Sequence, residues 1–125
     1  TPFPAHMIEH SLSALYDIAH GAGLSIVLPA WMMFALDRKK ERIARLGREV
    51  FGVQDADTMK AAQSCVARLK GWFESIGTPV SLADANIPDT DIEKIADNAV
   101  NLSKLWRMDA FYNREVIASI LMNAR

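Results

Sequence analysis

The sequence predicts an all-α fold, a compact bundle of about six helices. Three observations carry this: apolar residues recur at spacings of three and four; Gly, Pro, Asp and Asn separate the periodic stretches; and no run of strict alternation calls for a strand. With 125 residues, 50% of them hydrophobic and 23% charged, the chain is long enough to bury a core and reads as one helical domain over residues 1–125.

The first segment, about His6 to Leu15, is short and holds two histidines. Asp17 offers an N-cap for a second helix, whose all-round apolar character from Leu24 to Leu36 predicts that others enclose it. Pro29 is expected to kink that helix. A third, near Asp37 to Phe51, opens with Arg38, Lys39 and Lys40 and is expected to bury Ile43, Leu46 and Val50, leaving the charges of Arg38 to Arg48 solvated. The fourth carries Met59, Ala62, Val66, Leu69, Phe73 and Ile76 on one stripe, with Asp57 as its cap and Gly77 and Pro79 as its end. After a loop from Pro79 to Pro88, Asp89 is a candidate cap for a fifth helix burying Ile92, Ile95, Ala99 and Leu102 or their neighbours. The last follows Asn113 and turns Val116, Ile117, Ile120 and Leu121 inward.

Composition narrows the function. The formal charge is −1 with acidic and basic residues interspersed, so no one-sided basic face is available for nucleic acid. From Ala19 to Leu36 no Asp, Glu, Lys or Arg occurs, a length near the lower limit of a bilayer span; Gly21, Gly23, Ser25 and Pro29 interrupt it, and a buried helix explains it better. Cys65 is the lone cysteine and reads as a small buried hydrophobe; without a disulfide or a signal peptide the chain is expected in the cytoplasm. Thr1-Pro2-Phe3-Pro4 begins abruptly without Met, as the cut edge of a longer protein or a processed terminus would. Gly21-Ala22-Gly23 lacks the preceding strand and third glycine of a dinucleotide loop.

All three histidines, His6, His10 and His20, lie within the first 20 residues. His6 and His10, four apart, project from one helical face. On an unbroken helix His20 would lie about 21 Å from His6, beyond the reach of a shared metal with bonds near 2 Å. A metal held by His6 and His20 therefore requires the chain to turn between Tyr16 and Ala19. The letters also admit a rival: His6-Met7-Ile8-Glu9-His10 matches H-x-x-E-H, in which two histidines bind zinc and the glutamate activates water for peptide hydrolysis, with Glu93 or Glu115 available as third ligand. On spacing alone these readings and a plain solvated histidine pair all stand.

The run HMIEHSLSALYDIAHGAGLSIVLPAWM, His6 to Met32, resembles the signature of iron-containing (group III) alcohol dehydrogenases, in particular the butanol dehydrogenase and aldehyde reductase branch. The resemblance rests on His6-x3-His10, Leu12-Ser13-Ala14, His20-Gly21 and Leu28-Pro29-Ala30 before Trp31, and outweighs a five-letter peptidase motif. It implies the C-terminal helical domain of an enzyme that interconverts primary alcohols and aldehydes with NAD or NADP. By resemblance His6 and His20 are ligands of Fe2+ or Zn2+, and His10 is the catalytic histidine near nicotinamide and substrate. The family supplies an Asp and a further His from upstream and binds the dinucleotide mainly through an N-terminal domain, which is the implied partner along with a second copy in a homodimer. The isolated fragment is then expected to be inactive. Trp31, Trp72, Trp106 and the six methionines read as core and interdomain packing, with Trp31 and Phe34 the candidate pocket wall. A non-catalytic helical interaction module is the remaining alternative.

Overall fold

The computed structural model describes residues 4–125 and has no strand among them. Five α-helices follow in order: α1 (Pro4–Tyr16), α2 (His20–Val50), α3 (Thr58–Ser75), α4 (Ile92–Leu105) and α5 (Arg114–Asn123). Two 3-10 turns, Ala83–Ala85 and Asp89–Asp91, lie between α3 and α4.

The sixth helix expected from the sequence is the second half of α2. Asp37-Arg38-Lys39-Lys40-Glu41-Arg42 contains neither Gly nor Pro, so nothing there ends a helix. The chain bends instead at Lys39, whose φ of −125° and ψ of 19° leave the helical region. Pro29 is buried inside α2, and no departure from helical φ/ψ occurs there; the kink expected at Pro29 lies at Lys39.

The capping residues divide in the same way. Asp57 accepts from the Lys60 amide at 2.9 Å and Asn113 from the Val116 amide at 2.9 Å, as side chains at N-caps do. Asp17 caps nothing: it ends α1 in the left-handed region, φ 55°, a conformation its short polar side chain tolerates, and Ala19 precedes α2 without a side-chain cap. Asp89 opens the 3-10 turn rather than α4.

Helix α2 packs against α1, α3 and α5, and α4 against α1 and α5, so the predicted enclosure of α2 holds. Its first half buries Ile26, Val27, Ala30, Trp31, Met32, Ala35 and Leu36. Its second half lies along α3 at close range, because Gly47 faces Cys65; a Cβ at position 47 would sit 2.8 Å from the Cys65 Cβ. That contact selects Ile43, Ala44 and Gly47 as the inner face and leaves Leu46 40% and Val50 63% exposed, contrary to expectation. The α3 stripe shifts likewise, to Ala61, Ala62, Cys65 and Val66, with Ile76 exposed. Burial also pushes the Cys65 thiol pKa up. Trp72 lies outside the core, whereas Trp31 is inside it, its Nε1–H donating to Tyr112 Oη at 3.0 Å. Among the described residues no helix is long and apolar enough to cross a membrane.

The two aspartates give a direct comparison. Asp57→Ala is expected to lower the unfolding free energy by about 1 kcal/mol in urea denaturation, whereas Asp89→Ala, which removes no cap bond, changes it by less than about 0.5 kcal/mol.

Candidate metal centre

The site is made where α1 hands over to α2. The Asp17 amide donates to the Ser13 carbonyl at 3.0 Å, closing α1, and the Ser13 hydroxyl lies 2.8 Å from the Ile18 carbonyl. Three residues therefore suffice to reverse direction, and His20, the first residue of α2, comes back beside the start of α1.

The turn that a shared metal requires is present. His20 Nε2 lies 3.1 Å from His6 Nδ1, and the two rings stack with centroids 5.0 Å apart. His10 flanks them, its ring 5.9 Å from that of His20. Two nitrogens at the His6–His20 separation could both reach one ion with bonds of about 2.0–2.1 Å. The donor set, two imidazoles, suits Fe2+ or Zn2+. Among the described residues no group of three or more His, Cys, Asp and Glu side chains is placed to hold a metal together.

Glu9 completes the arrangement from behind. It has no solvent exposure, and its Oε1 faces His20 Nδ1 across a short contact. Its Oε2 lies 2.5 Å from the Ser13 hydroxyl. In the sequence Glu9 has a role only in the peptidase reading. Its signal was the pair Glu9 and Ser13, four apart on the histidine face, with small Gly23 opposite. As the water-activating base of a peptidase Glu9 is ill placed, being buried behind the ring of His20; Glu93 is paired with Arg114.

Aromatic neighbours differ from those expected. Trp106, at the end of α4, meets the His10 ring edge-on with centroids 5.3 Å apart. Arg107 makes that possible: at φ 58° it takes the left-handed position that ends α4, with the Met108 amide donating to the Ser103 carbonyl at 2.8 Å. Phe34 packs on Phe111 instead, under the Arg38 guanidinium.

A cluster of three histidines at one end of an all-helical bundle defines the class of domain: helical, with its candidate site at the α1–α2 junction. The chain belongs to the iron-containing alcohol dehydrogenase family: residues 4–124 match the model of its C-terminal region. It is 36% identical over 118 residues to the probable NADH-dependent butanol dehydrogenase 1 of Bacillus subtilis, an alignment covering 93% of this chain and 30% of that protein. It is 35% identical over 100 residues to NADH-dependent butanol dehydrogenase A of Clostridium acetobutylicum, covering 78% of this chain and 26% of the relative. The crystal structure of NADH-dependent butanol dehydrogenase A from Thermotoga maritima superimposes with a TM-score of 0.89 at 40% identity, over 97% of this chain and 32% of that one. The chain thus spans about a third or less of the length of these relatives.

The histidine face is held against α4 by Tyr16, whose hydroxyl donates to Asp91 Oδ2 at 2.7 Å. Burial first, then that hydrogen bond and the charge of Asp91, raise the Tyr16 pKa from 10.0 to about 12. A proton held more tightly in the folded state gives stability that is complete below pH 10 and lost as pH rises towards 12. Tyr16→Phe is expected to cost about 1 kcal/mol at neutral pH, and the difference between the two proteins in urea unfolding should shrink over that alkaline window.

Proposed function

We propose that the chain is the metal-binding C-terminal part of an NAD(P)-dependent enzyme interconverting primary alcohols and aldehydes, with His6 and His20 as metal ligands and His10 as the catalytic, nicotinamide-facing histidine. The observation that carries the reading is the 3.1 Å approach of His6 Nδ1 to His20 Nε2, in a family described as Fe-containing alcohol dehydrogenases. Two NADH-dependent butanol dehydrogenases among the relatives support the cofactor and substrate class.

When bound, Fe2+ or Zn2+ supplies Lewis-acid polarisation of an alcohol or aldehyde oxygen. His6 and His20 would hold it with lone pairs facing one point. The His20 ring turns Nδ1 towards Glu9 and Nε2 towards His6. His10, exposed and one turn from His6, is placed to pass a hydroxyl proton to solvent or to orient a nicotinamide. Trp106 walls that histidine and restricts its ring. The dinucleotide belongs mainly to an N-terminal domain, as does the rest of the coordination shell; on this reading the chain as given is one helical domain, inactive alone, and works in the cytoplasm within a homodimeric enzyme.

Anaerobic titration with Fe2+ or Zn2+ tests it. One ion should bind, and His6→Ala or His20→Ala should each weaken binding by at least about 10- to 100-fold, while His10→Ala leaves it within about twofold. Joint dependence on His6 and His10 with His20 irrelevant would sink the assignment in favour of the peptidase pattern.

A further inference from the structure

We infer that Glu9 is a positioning residue: its buried carboxylate holds His20 in the Nδ1–H tautomer, aiming the Nε2 lone pair at the point His6 Nδ1 also faces, and Gly23 is glycine to leave Glu9 room. This deepens the metal reading and rests on it for the ion.

A neutral imidazole carries one N–H, and the partner of one nitrogen decides which nitrogen is left as a ligand. A carboxylate oxygen accepts, so Glu9 Oε1 beside His20 Nδ1 selects a proton on Nδ1. The His20 side chain is 48% exposed, and contact with solvent imposes no such choice. The carboxylate is held in place as well. Ser13 Oγ stands 2.5 Å from its second oxygen. On the other side the backbone of α2 closes in at Gly23, where a Cβ would fall 2.1 Å from Glu9 Oε2 and 2.7 Å from both Cδ and Cγ. No L side chain fits there without expelling Glu9. Taking a carboxylate out of water is unfavourable and has to be offset by these contacts, and the imidazole is the one that leads to the site.

A carboxylate that only tied α1 to α2 would have the same contacts, so the test reads the proton. In the 15N-labelled chain without metal, long-range 1H–15N correlation at pH about 8.5, well above the ordinary imidazole pKa of about 6.5, separates protonated from bare ring nitrogens. Wild type is expected to show His20 with Nδ1 protonated and Nε2 bare. Glu9→Met keeps side-chain length and removes the acceptor. It should populate Nε2–H on His20 and lower Zn2+ affinity by about 10- to 100-fold, with the helical circular dichroism retained. Gly23→Ala, which leaves the carboxylate in the chain and takes away its seat, should give the same tautomer change and replaces the first variant if that one fails to fold. His20 protonated on Nε2 in wild type, or a Nδ1–H pattern unchanged in either folded variant, overturns the proposal. Because the tautomer is read without metal, a wild type that bound no Zn2+ would overturn the metal reading and not this assignment.

Discussion

A carboxylate removed from water must have both oxygens paired or the fold will not keep it, and Glu9 is such a group. Its pairing fixes more than its own position. His20 at the head of α2 and Ser13 near the foot of α1 both reach it, and Gly23 lets α2 approach closely enough to enclose it. The azimuths of the two helices about their axes are thereby set. His6 and His10, on the same face of α1 as Glu9 and Ser13, lie beside His20. The histidine cluster is thus a consequence of one buried acid as much as of the histidines' own spacing.

The rest of the bundle supports that junction from two directions. Helix α4 meets α1 through the Tyr16–Asp91 hydrogen bond and brings Trp106 to His10 at its end. Helix α2 runs from the junction through the core, where Ser25 receives anchoring contacts from Thr78 and the Pro79 carbonyl. Beyond Lys39 its bent second half belongs to α3, packed at Gly47 and Cys65. One long helix therefore serves two environments: a polar, partly exposed start that holds the site, and a close-packed far end that makes no polar contact with it.

How far the sequence discloses this depends on where the deciding contact lies. Helices α1 and α3 and the caps at Asp57 and Asn113 are local matters, set by periodicity within a few residues and by a side chain bonding an amide three positions on. The turn between Tyr16 and Ala19 was legible for a different reason, since a shared ligand for His6 and His20 is impossible on a straight helix. What escaped was set across space. Leu46 and Val50 have the right periodicity to be buried, and only the meeting of Gly47 with Cys65 decides that their neighbours are buried instead. Arg107 ends α4 in a conformation usually marked by glycine, so Trp106 gave no sign that it would reach His10. Glu9 was read by its motif letters alone, because its contacts depend on the approach of α2 at Gly23, a residue on another helix.

Placing the imidazole pair at an exposed edge has a chemical consequence. On the proposed reading two nitrogens would fill half of a four-coordinate shell, and because His20 stays 48% exposed, other ligands would have access to the ion. A half-shell of fixed geometry binds an ion weakly by itself, since each missing donor leaves its share of the binding energy unrealised. On the proposed reading Glu9 matters most here: with the His20 ring already oriented, ligands from elsewhere in a complete enzyme would meet two donors whose orientation folding has settled, which would couple metal binding to the docking of the segment that brings them. On that reading the buried acid of α1 converts the folding free energy of the helical bundle into the precision of a site that the bundle does not complete.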